Sequence, residues 1–136
     1  MPANILVVDD QELVRRTLRS LLAQQPHWKI FEAPNGRVAV DSLPAIQPDV
    51  VVMHVVMPEM NGIEAAYEIH LHAPKTKVIL MSSFCAPEEA ALLARLLDGN
   101  FIEKSQIGKD LVATIKRLLQ PEGWRFLCQS RRALQS

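Results

Sequence analysis

Five short apolar runs, each followed by a stretch of different period, constrain this chain more than any other feature. The runs are residues 5–8, 28–32, 50–53, 78–81 and 101–103. They are too short for helices and rich in Val and Ile, so they read as strands. Between them the apolar residues fall at helical spacing. Val14, Leu18, Leu21 and Leu22 mark a helix over 12–24, and Val38, Ala39 and Leu43 mark a short one over 37–43. Ile63, Ala66, Tyr67 and Ile69 mark a helix that follows Gly62 and ends before Pro74. A fourth helix covers 87–98, and a fifth covers 108–120 with Leu111, Ile115, Leu118 and Leu119 inward. Pro26, Asn35-Gly36, Pro44, Pro48-Asp49 and Gly99 punctuate the series. Pro44 is expected to cut the second helix short, and Pro87 followed by Glu88 and Glu89 suits a helix start. Strands alternating with helices on short loops form a parallel sheet covered on both faces, with right-handed crossovers. The second run is the least apolar and belongs near an edge.

The 136 residues suit one core-bearing domain over 1–120, with 121–136 as a tail or the start of a linker. Fifteen basic residues balance fifteen acidic ones. The whole molecule therefore has no net attraction to nucleic acid or to an anionic membrane, and Arg131-Arg132 is too short a basic run to argue otherwise. No apolar run approaches the roughly 20 residues that span a bilayer. The N-terminus carries neither a basic region nor a cleavage pattern. Cys85 and Cys128 lie far apart, without metal-site spacing, and fit reduced thiols better than a disulfide. These features together lead to an expected cytoplasmic location.

Parallel α/β sheets carry their chemistry beyond the carboxyl ends of the strands. Here those ends bear Asp9 and Asp10 on the first strand, His54 on the third, Ser82 and Ser83 on the fourth, and Lys104 on the fifth. The second contributes nothing evident. Two adjacent acids suit a hard cation such as Mg²⁺, which binds one or two carboxylates together with water and phosphate oxygens. A lysine and a hydroxyl suit phosphoryl oxygens, and phosphoryl transfer is chiefly positioning and electrostatics. Each residue also has a plainer reading: Asp10 could cap the helix from Glu12, Ser82 and Lys104 could be ordinary surface groups, and Phe101 could be core. His27, His70 and His72 read as surface residues.

The stretches ILVVDDQELVR, PDVVVMHVVMPEMNGIEA, VILMSS and FIEKS, in that order, resemble the receiver (CheY-like) domain of two-component response regulators across residues 4–119. The segment VVDDQELVRRTLRSLL and the serine after Lys104 look most like the LuxR/NarL-type branch. The resemblance implies a flavodoxin-like five-stranded sheet of order 2-1-3-4-5. It implies that Asp9, Asp10 and the backbone carbonyl of Val56 hold Mg²⁺, that Ser82 and Lys104 contact the phosphoryl group, and that Ser82 and Phe101 form the switch. It also implies a sensor histidine kinase or phosphotransfer protein as partner. An output partner, or a second copy, would use helices 87–98 and 108–120; the first of these is unusually apolar. No enzyme activity on an external substrate is expected.

His54 is the departure: at its position the family has the phosphoacceptor aspartate. Imidazole offers no carboxylate nucleophile, and hard Mg²⁺ prefers oxygen to nitrogen. The expected consequences are no aspartyl phosphate and weaker Mg²⁺ binding. Three readings of His54 stand open: a natural receiver working without phosphorylation, a substitution blocking an otherwise ordinary receiver, or a transition-metal site with Asp9 and Asp10. A protonated His54 pairing with either acid is compatible with the first two.

Overall fold

The computed structural model describes residues 2–55, 57, 60–82 and 101–120. In chain order these form β1 (Ala3–Val8), α1 (Glu12–Leu22), β2 (Trp28–Ala33), α2 (Gly36–Asp41), α3 (Leu43–Ile46), β3 (Val50–His54), α4 (Gly62–His72), β4 (Lys77–Ser82) and β5 (Phe101–Glu103). A 3₁₀ turn at Lys104–Gln106 leads into α5 (Ile107–Leu119). The strands make one parallel sheet of order β2-β1-β3-β4-β5. The weakly apolar second strand is at an edge, as its composition implies. The helix expected over 87–98 and the tail 121–136 lie outside the described residues.

Strand side chains alternate between faces, and the core divides accordingly. Leu6, Val8, Val51, Met53 and Leu80 face one layer with Ala39, Leu43, Ala65 and Ile69 of α2, α3 and α4. Ile5, Val7, Val50, Val52, Ile79 and Met81 face the other layer with Leu18 and Leu22 of α1 and Leu111, Ile115 and Leu118 of α5. The central strands are apolar at nearly every position because both of their faces are covered. Among the described residues no helix is long and apolar enough to cross a membrane.

Two local expectations, those for Pro44 and Val38, are corrected. Pro44 does not simply end a helix: it lies in the first turn of the short helix α3, where a missing N–H costs nothing. Ser42 separates α2 from α3, and its hydroxyl donates to the Val38 carbonyl at 2.6 Å. Val38, expected inward, points outward; on α4, Ile63 and Tyr67 also point outward, with Tyr67 63% exposed. The buried stripe of α4 is Gly62, Ala65, Ala66 and Ile69. These small side chains let the helix lie close to the sheet and to α2, where Ala65 Cβ comes within 3.0 Å of the position a Gly36 Cβ would take.

Asn61 starts α4 as its N-cap. Its side-chain oxygen accepts from the Glu64 N–H at 2.9 Å, and its amide reaches the Glu64 carboxylate at 3.3 Å. The first bond is an ordinary asparagine N-cap, and the second, between the two side chains, holds the Asn61 amide in place. The Gly62 N–H donates to the Val55 carbonyl at 2.6 Å. The start of α4 is thereby tied to the backbone that leaves β3.

Candidate functional site

The pairing register aligns the strand ends. Val8 lies opposite Met53, and His54 lies opposite Met81. One step beyond β1, Asp9 therefore comes level with His54. Asp9 shares the parity of Val7, and His54 that of Val52, so both belong to the sheet face covered by α1 and α5. Asp9, Asp10 and His54 each bring one possible ligand atom within 4.8 Å of the others. Residues 45 positions apart in sequence thus meet because parallel pairing of β1 with β3 brings their carboxyl ends together.

The three groups differ in setting. Asp9 is wholly buried, Asp10 is exposed and His54 is half-buried. One Asp9 carboxylate oxygen, Oδ1, accepts the Gln11 N–H at 2.9 Å. Its other oxygen, Oδ2, and the Nδ1 of His54 are both buried without a hydrogen-bond partner among the described residues. Buried polar atoms are nearly always satisfied, so two orphans in one cluster mark a place prepared for a further partner. Asp10 does not cap α1. The N-cap is Gln11, which makes no side-chain cap hydrogen bond, and the nearby N–H of Gln11 goes to Asp9.

Arg15 and Glu32 support the acidic end, and the sequence reading missed both. The Arg15 Nη1 donates to the Asp9 carbonyl at 2.7 Å, and its Nε lies 3.3 Å from Glu32 Oε1. Arg19 reaches the other Glu32 oxygen at 3.0 Å. The second strand therefore does contribute, through Glu32: it anchors the arginine that fixes the backbone of the buried aspartate. Arg15 lies in the first turn of α1, and no local sequence pattern marks its pairing with Glu32. Because Arg15 is mostly buried and serves two acceptors, Arg15→Ala should cost about 2 kcal/mol of stability, read as a lowered urea midpoint with an unchanged slope.

Ser82 is buried at the end of β4 and lies opposite Glu103, while Leu80 lies opposite Phe101. Ser82 and Phe101 therefore share one face of neighbouring strands. Phe101 is half-buried against the α2–α4 core layer, neither fully core nor free. Lys104 is half-buried and follows β5 directly, opening the 3₁₀ turn at the same sheet edge. Val56, Ser83 and Cys85 lie outside the described residues. His27, His70 and His72 are exposed, and His72 meets Glu68 at 3.3 Å one turn away.

Two carboxylates and one imidazole make a mixed donor set. The carboxylates suit Mg²⁺, but the imidazole does not, since Mg²⁺ demands oxygen ligands in near-ideal octahedral order. The set as a whole does not match an all-oxygen Mg²⁺ site.

Comparison with known proteins gives a consistent result. Residues 5–116 match the family model described as the response regulator receiver domain. The chain is 38% identical over 116 residues to the regulatory protein AtoC of Escherichia coli, covering 85% of this chain and 25% of that protein. It thus spans about a quarter of that relative's length. The response regulator domain of Thermotoga maritima CheB superposes with a TM-score of 0.76 at 31% identity, over 89% of this chain and all of that one. A LuxR-family DNA-binding response regulator from Staphylococcus aureus superposes with a TM-score of 0.75 at 25% identity, over 85% of this chain and 98% of that one.

Proposed function

The chain belongs to the response regulator receiver domain family, and on that premise we propose that it is a two-component signalling module that forms no aspartyl phosphate, because His54 stands at the phosphoacceptor position. One observation carries the reading. The end of β3, level with Asp9 on β1 and beside the Ser82-bearing end of β4, presents an imidazole. A carboxylate there would attack phosphorus and hand negative charge to the cation; an imidazole does neither. Its Nδ1 is buried without a hydrogen-bond partner among the described residues. A ring longer than a carboxylate would also set its nitrogens out of register with Ser82 and Lys104.

In this reading Asp9, Asp10 and the carbonyl of Val56 are what remains of a Mg²⁺ site, weakened by His54. Ser82 and Lys104 are the phosphoryl-contacting pair, and Ser82 with Phe101 is the switch. Their shared face on β4 and β5 supports the last assignment. The module acts by binding proteins, not by turning over an external substrate. Its partners are a sensor histidine kinase or phosphotransfer protein on the input side and an output partner, or a second copy, on the face formed by 87–98 and 108–120. The likeness to the LuxR-family response regulator of Staphylococcus aureus supports a LuxR/NarL-type affiliation.

The reading is tested by incubating the native chain with Mg²⁺ and a small acyl-phosphate donor and weighing the intact protein. The mass should stay unchanged. A phosphoryl adduct on the native chain would overturn the proposal.

A further inference from the structure

We propose that Asp9, Asp10 and His54 form a binding site for a borderline divalent transition metal of the Zn²⁺ and Co²⁺ kind. The proposal shares with the functional reading only the premise that His54 faces the acidic pair; it does not depend on whether the chain can be phosphorylated.

The donor set selects the class of ion. Imidazole nitrogen suits Zn²⁺, Co²⁺ and Ni²⁺, while carboxylate alone suits Mg²⁺ and Ca²⁺. Two carboxylates balance the charge of a divalent cation, and a neutral imidazole completes three protein ligands, leaving positions for water. This is the ligand count of open zinc sites. The geometry is close to that required. With metal–ligand bonds of about 2 Å at tetrahedral angles, neighbouring ligand atoms stand about 3.3 Å apart. The three donor atoms lie within 4.8 Å of one another, so they must close in by about 1.5 Å at most around an ion.

The site is also prepared. Asp9 is wholly buried, and its carboxylate is oriented by the Gln11 N–H at Oδ1, leaving Oδ2 unpartnered among the described residues. Its carbonyl is held by Arg15. His54 is fixed from behind, since the Val55 N–H donates to the Met81 carbonyl at 2.9 Å and the Val55 carbonyl accepts from Gly62. Its Nδ1 is likewise buried without a partner among the described residues. Asp10 is exposed and gives the ion a way in from solvent. An acidic pair alone would not justify a site. The two unpartnered buried atoms, one oxygen and one nitrogen in the same cluster, are what call for a shared cation.

The test is a titration of the chelator-treated full chain with Co²⁺, followed by its visible absorption, with Zn²⁺ competition and a parallel Mg²⁺ titration by calorimetry. The native chain should bind one Co²⁺, displaceable by Zn²⁺, and prefer it to Mg²⁺. His54→Asp should weaken Co²⁺ binding at least about tenfold and strengthen Mg²⁺ binding, and Asp9→Asn should weaken Co²⁺ binding by a similar factor. His54→Gln, which removes the imidazole without adding charge, should lose Co²⁺ as well; circular dichroism establishes that each variant is folded. A Co²⁺ affinity that is the same in native, His54→Asp and His54→Gln chains would overturn the proposal and move any bound ion to the exposed histidines. Native preference for Mg²⁺ over Co²⁺ would overturn it equally. Neither result bears on the mass of the phosphodonor-treated chain, so failure here and failure of the functional reading are told apart.

Discussion

Gly62→Ala is expected to destabilise the fold by about 3 kcal/mol, at the upper end of what overpacking costs. A Cβ on Gly62 would stand 2.5 Å from the His54 carbonyl oxygen and 2.9 Å from the Val55 Cα. Both are backbone atoms and neither can swing aside. The third neighbour, Leu80 Cδ2 at 3.1 Å, belongs to a fully buried side chain. Relief requires α4 to lift away from β3, which breaks the Gly62–Val55 hydrogen bond and loosens the packing of Ala65, Ala66 and Ile69. The lift acts on the backbone that carries His54, so the site is disturbed along with the core. Urea unfolding followed by circular dichroism measures the loss. Gly108→Ala is the matched control, since nothing lies within 4 Å of its added Cβ; it should be neutral or add roughly 0.5 kcal/mol through helix propensity. Equal midpoints for the two variants would contradict the close approach of α4 to β3.

The strands were legible because a strand covered on both faces must be apolar at successive positions. Val50, Val51, Val52 and Met53 are all fully buried. The sheet order and the convergence of Asp9, Asp10 and His54 followed from parallel pairing and from the family resemblance together. The buried side of α4 is less legible. Ile63 and Tyr67 fit the helical spacing that marks the helix, yet they point outward. The helix buries Gly62, Ala65, Ala66 and Ile69, and its small residues allow close approach to β3 and α2. Arg15 and Glu32 were invisible for another reason. Their partnership joins α1 to an edge strand and depends on register, which no local pattern records. Asp10 looks like a cap because its side-chain type and place before α1 suit one; the helix begins one residue later, with Gln11 as an N-cap that makes no side-chain cap hydrogen bond.

His54→Asp carries the other large expectation, the uptake of one phosphoryl group by a chain that takes none in its native form. The other site residues remain at the carboxyl edge of the sheet. Asp9 is buried and held by Gln11 and Arg15, Ser82 is buried at the end of β4, and Lys104 follows β5 at the same edge. An aspartate at 54 would supply the nucleophile and a third carboxylate, changing the donor set from mixed to all-oxygen, which suits Mg²⁺. Phosphoryl transfer needs little from the protein beyond such positioning and charge. A side chain smaller than imidazole at this half-buried position should be accommodated without loss of fold.

The most direct measurement is intact-mass analysis of the native and His54→Asp chains, treated side by side with Mg²⁺ and the same small phosphodonor. A single phosphoryl adduct on the aspartate variant and none on the native chain is the result this account predicts. An adduct on the native chain, or none on either, would contradict the claim that His54 alone silences an otherwise competent receiver site.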